Sequence, residues 1–78
     1  IPAAPPLAVL EILSPDDRMA EVLDKLEEYV EWGVPHVWLV DPVKRHLYAY
    51  DRLGLHSVSE YVIPESGGRV LAAADLFE

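Results

Sequence analysis

The stretch "VLEILSP", residues 9–15, sets one carboxylate inside an otherwise apolar run. Leu7, Ala8, Val9 and Leu10 precede Glu11, Ile12 and Leu13 follow it, and nothing else polar comes before Ser14. A short run apolar at successive positions reads as a strand covered on both faces, as in a parallel sheet flanked by helices. A glutamate in such a strand must be paired, protonated or bound to a cation, because an isolated buried charge is too costly. Glu11 is therefore the first candidate functional residue.

The surroundings support a strand over residues 7–13. "IPAAPP", residues 1–6, is a Pro-rich lead-in that cannot continue a sheet. On the other side, "SPDDR" has the composition of a helix start, with Ser14 as N-cap, Pro15 at N1 and Asp16 and Asp17 on the first turn. Asp17 is also placed for a capping-box-like exchange with Ser14. Met19, Val22, Leu23, Leu26, Tyr29 and Val30 then recur at helical spacing along one face, which predicts a helix to about Trp32. Gly33 and Pro35 supply the stop. "HVWLVD", residues 36–41, is a second apolar strand, so strand, helix and strand form a βαβ unit with parallel strands. "HLYAYD", residues 46–51, reads as an antiparallel return strand, "RLGLHS" as a loop or hairpin tip, "VSEYVI" as a weaker strand and "ESGG" as a turn. The C-terminal "RVLAAADLFE" begins extended and closes with a short helical turn.

The totals restrict function. With 78 residues the chain is one domain at most, and one this short hides only about 60% of its unfolded surface. It has no cysteine, which excludes disulfides and thiolate metal sites and fits a reducing cytoplasm. No apolar stretch approaches the ~20 residues that span a bilayer, so no membrane role is expected. Apolar residues make up 51% of the chain and its net charge is −8. That balance opposes unaided nucleic-acid binding, which relies on Lys and Arg at the phosphates. Contact with phosphate then requires a bridging cation or a partner surface. The chain begins at Ile1 and enters its first strand almost at once, so it reads as the C-terminal part of something longer.

Glu11 shares a strand face with Leu7, Val9 and Leu13 and lies near the C-terminal end, the edge where open α/β sheets bind ligands. Lys25 falls on the flank of the helix's apolar stripe, on the side of Arg18 and Tyr29, where a long stem can carry its ammonium towards the same edge. A carboxylate and a lysine converging there form half of a metal-dependent phosphodiesterase site. The competing reading is a structural ion pair, Glu11 with Lys25 or with Arg18. Asp41 ends the neighbouring strand and is a candidate second acid, although Asp-Pro is first of all a turn signal. His36, His46 and His56 have no metal-ligand spacing, and Trp32 and Trp38 read as core or interface anchors.

Three stretches, "EILSP" with the following "DDR", "KLEEYVEWGVPHVWLVDP" and the terminal "DLFE", resemble the Uma family of restriction endonucleases, bacterial members of the PD-(D/E)XK nuclease superfamily. The resemblance covers nearly the whole chain. It implies a restriction-endonuclease-like α/β fold with a mixed sheet, DNA as substrate, and Mg²⁺ held by Glu11. In the superfamily's E-x-K pair the lysine position here is Leu13, so the resemblance implies a lysine from the next helix, Lys25. It also implies an upstream segment bearing further strands and another acid. Pro5-Pro6-Leu7 stands where some members carry an acid, so residues 1–78 are expected to be the C-terminal portion of one domain, inactive alone. The first strand's uncovered edge then calls for that segment or for a second copy. The alternative is a non-catalytic interaction or dimerisation module derived from the same family.

Overall fold

The computed structural model describes residues 4–77; the first half of the Pro-rich lead-in and Glu78 lie outside the described residues. Strand β1 (Ala8–Ile12) leads into helix α1 (Met19–Trp32), followed by β2 (His36–Asp41), β3 (His46–Asp51), β4 (Gly54–Val58), β5 (Glu60–Ile63), a 3-10 turn (Pro64–Ser66), β6 (Arg69–Ala72) and α2 (Ala73–Phe77). The first four strands form a mixed sheet in the order β1-β2-β3-β4, and β5 pairs with β6 in a second, two-stranded sheet. β1 runs parallel to β2, with Glu11 opposite Leu39, while β2–β3 and β3–β4 are antiparallel. Hydrogen bonds from His36 N–H to the Leu7 carbonyl and from Leu13 N–H to the Val40 carbonyl flank that parallel ladder.

β2 is the centre of the molecule. Val37 and Leu39 point to one face and join Leu26 and Val34 in a core under α1. Trp38 and Val40 point to the other, where Leu47 and Tyr61 complete a second core closed by residues of β6 and α2. The result is three layers: helix, four-stranded sheet, small sheet with terminal helix. Tyr61 ties the outer layer to the middle one. Its ring stacks on Trp38 at 4.3 Å, and its hydroxyl stands 2.9 Å from the carbonyl oxygens of both Leu39 and Tyr48. It also accepts the Tyr48 N–H at 3.2 Å.

The expected mixed α/β architecture is present, with four local corrections. First, the strand buried on both faces is β2; among the described residues β1 is the sheet's edge, and Leu10 and Ile12 remain 38% and 65% exposed. Of that face of β1, Ala8 packs against the second core. Second, α1 begins at Met19 with Arg18 as N-cap and no side-chain cap. Asp17 does accept the Ser14 N–H, at 2.7 Å, but this bond and the return from Asp17 N–H to the Ser14 carbonyl close a separate turn before the helix. Third, most of "RLGLHS" is strand: Arg52 and Leu53 alone make the hairpin tip, and Gly54, at φ 112°, opens β4. Fourth, "VSEYVI" is divided, because Val58 ends β4 and Glu60 begins β5 in the other sheet.

The C-terminal end of α1 follows the sequence closely. Gly33 adopts φ 103°, its N–H bonds the Val30 carbonyl and the Val34 N–H bonds that of Tyr29, a Schellman arrangement. This stop leads the chain into β2 within three residues.

Candidate active site

Glu11 and Lys25 meet. The Lys25 ammonium lies 3.2 Å from Glu11 Oε1, at the C-terminal edge of the parallel strand pair. A third side chain, from the apolar face of α1, completes the group: the Tyr29 hydroxyl donates to the same Oε1 at 2.8 Å. Lys25 and Tyr29 are one helical turn apart, so both reach the strand from one face of α1. Arg18, the other possible partner, instead faces Glu21 at 3.9 Å on an exposed surface.

Glu11 is half-buried rather than buried, its side chain keeping 24% of its exposure. Edge position explains this, since no described strand covers its outer side. The carboxylate in turn raises Lys25 above its ordinary range, first by hydrogen bonding and then by charge. Tyr29 is also raised, by its hydrogen bond to Glu11 and then by burial. Lysine stays an ammonium and tyrosine stays a neutral donor. Glu11 and Lys25 line a cleft of about 490 Å³ together with Ser14, Asp16, Asp17, Arg18 and Glu21.

Asp41 ends β2, but its Oδ1 accepts the N–H groups of Val43 and Lys44 at 3.1 and 3.2 Å. That oxygen shapes the β2–β3 turn, in keeping with the Asp-Pro signal. His36 lies on β2 with Nε2 at 2.9 Å from Glu65, His46 opens β3, and His56 on β4 lies 3.7 Å from Asp51. Trp38 is buried in the second core, whereas Trp32 is 37% exposed.

Among the described residues no three His, Asp or Glu side chains converge as a metal-binding group. Glu11 is one carboxylate with one oxygen already engaged, and Mg²⁺ takes near-octahedral oxygen coordination. The described residues therefore do not make a Mg²⁺ site by themselves. Nor is any described helix long and apolar enough to cross a membrane.

The fold is similar to that of a solved protein from Anabaena variabilis ATCC 29413, described as a "putative nuclease belonging to DUF820". The two agree with a TM-score of 0.73 at 25% sequence identity over 95% of this chain. This chain spans 45% of that one's length. No curated protein matches it. The family-level match runs over residues 2–78, and the chain belongs to the Uma2 family, "Putative restriction endonuclease".

Proposed function

We propose that residues 1–78 are the C-terminal portion of a single nuclease domain that hydrolyses DNA phosphodiesters with the help of Mg²⁺. The observation that carries this is the 3.2 Å approach of Lys25 to Glu11 at a cleft-facing sheet edge. In this reading Glu11 is one ligand of the cation, and the remaining donors come from chain outside these residues. Lys25 offsets negative charge on the phosphoryl oxygens, as a positioned cation does where charge develops in a transition state. Family membership and the likeness to the Anabaena protein support the reaction class. The uncovered edge of β1 is completed by an upstream strand or by a second copy.

The net charge of −8 and the single carboxylate favour a second reading, a non-catalytic interaction module of the same family. One pair of assays separates them. The chain alone, given supercoiled plasmid with Mg²⁺ or Mn²⁺, is expected not to nick it; nicking that vanishes in Glu11→Gln contradicts the claim that these residues are incomplete. A domain rebuilt by joining them to the part of the Anabaena relative that they do not match is expected to cut. There Glu11→Gln and Lys25→Met should each lose about a hundredfold or more. A folded rebuilt domain that never cuts favours the interaction module.

A further inference from the structure

The net charge of −8 is unevenly laid out. Of the six Lys and Arg residues, four stand at the C-terminal edge of the parallel strand pair: Arg18 and Lys25 in the Glu11 cleft, Lys44 and Arg45 in the β2–β3 turn. Most acids of that edge are engaged. Glu11 faces Lys25, Glu21 faces Arg18, Asp17 accepts the Ser14 N–H, and Asp41 accepts those of Val43 and Lys44. Asp16, which also lines the cleft, is the exception. Among the described residues neither Lys44 nor Arg45 forms a salt bridge. The chain's totals weigh against phosphate contact, yet this turn presents two free cations.

The turn also holds its backbone in an unfavourable form. Arg45 adopts φ 54°, alone among the described non-glycine residues in having a positive φ. Glycine or asparagine fits there at less cost, so an arginine at this position points to a use for its side chain. The Glu11 cleft shares Leu13, Ser14 and Asp17 with a second cleft of about 370 Å³ that reaches Val43 and Lys44. Pro42, the first residue of the turn, lies three residues past Leu39, the partner of Glu11. That is about 10 Å along a strand, or roughly three nucleotide steps of 3.4 Å.

We propose that the β2–β3 turn is a DNA-backbone contact of this domain: Lys44 and Arg45 hold phosphates on the same edge as the Glu11–Lys25 pair, and the joined clefts are the path between them. The inference rests on the nuclease reading given above and adds to it a surface that seats the duplex. Arg45 offers a planar fork suited to two phosphate oxygens, and Lys44 a point charge. Such contacts set register and orientation and read no base sequence.

Anisotropy of a labelled short duplex tests this on the 78-residue chain, with EDTA present so that no metal ion bridges, between about 20 and about 150 mM salt. The parent should bind weakly, with an affinity that falls as salt rises. Lys44→Gln and Arg45→Gly should each flatten the slope of log K against log salt by about 1, and the double variant by about 2. Arg45→Gly frees the strained backbone, so its denaturation midpoint should hold or rise while DNA affinity falls; a merely structural arginine would lose both together. Arg52→Gln, at the hairpin tip on the other end of the sheet, and Arg69→Gln on β6 remove the same charge and should leave the slope unchanged. Equal flattening in all four single variants overturns the inference, as does a parent that binds no duplex at the lowest salt. The nuclease reading fails separately. A rebuilt domain that never cuts, while the turn still holds duplex, overturns the reaction and keeps the contact. A rebuilt domain that binds and cuts at the parental level with both turn residues replaced overturns the contact and keeps the reaction.

Discussion

Lys25 and Tyr29 share one oxygen of Glu11 in a half-buried setting. This coupling can be measured by titration. Lys25 is raised by Glu11, so in Glu11→Gln its midpoint should fall towards the ordinary lysine value of about 10.4. The sign for stability follows from that direction. The Lys25 contribution is whole below the unfolded-state pKa and is lost as pH rises through the higher folded-state one. NMR of the lysine side chain against pH checks both, and an unchanged Lys25 in Glu11→Gln would show that the ion pair does not persist in solution. At this scale the sequence made two of the three residues legible. Glu11 stood out as a charge in an apolar run, and Lys25 by its angle on the helix. Tyr29 was concealed because an aromatic at a core-facing helical position already has a sufficient explanation in packing. Its hydroxyl partner depends on the register between α1 and β1, which spacing alone does not supply. Asp41 illustrates the reverse, since its local turn signal correctly outweighed its position at the sheet edge.

Among the elements, Tyr61 on β5 has the largest mechanical consequence, because one hydroxyl meets backbone groups of both β2 and β3. Tyr61→Phe keeps the stack on Trp38 and leaves those groups short of a partner, so it should cost about 1–3 kcal/mol, read from chemical denaturation. Burial also pushes the phenol up to about 12. The Tyr61 contribution is therefore whole below about 10, the ordinary tyrosine value, and drains away between there and about 12. The alkaline limb of stability should accordingly flatten in Tyr61→Phe. Neither the second sheet nor this bridge was visible in the sequence, because "VSEYVI" reads as one strand unless the break at Ser59 is known. The α1 terminus was legible since Gly33 and Pro35 act locally. The α1 start was not, because Ser14 and Asp17 satisfy each other in a turn and leave Arg18 as an uncapped entry. β4 was hidden by its glycine, histidine and serine, poor strand formers tolerated where a two-residue turn already sets the pairing.

The whole molecule exposes more than its size warrants. Its accessible surface is 5395 Å², against about 4,700 Å² for a compact chain of this mass. Its radius of gyration is 12.6 Å, against about 11.5 Å for this length. Part of the excess lies along β1, where Leu7, Leu10 and Ile12 are exposed beside an edge that, among the described residues, pairs only with β2. β4, the opposite edge, carries His56 and Ser57 on its exposed positions and is far less apolar. An edge strand with apolar side chains and no charge blocking it invites another strand, and lysine is the usual natural deterrent. Glu11 is the strand's lone charge, and it is held on the α1 side by Tyr29 and Lys25, so it does not guard the opposite face. The 78-residue chain is therefore expected to self-associate through β1, with a sedimentation coefficient that rises with concentration. The double variant Leu10→Lys with Ile12→Lys should return it to monomer without unfolding, because neither residue belongs to either core. A well-folded parental monomer at high concentration contradicts the expectation outright. Association that persists unchanged in the double variant moves the contact elsewhere, with the exposed Val62 and Val70 pair on the small sheet as the next surface to alter.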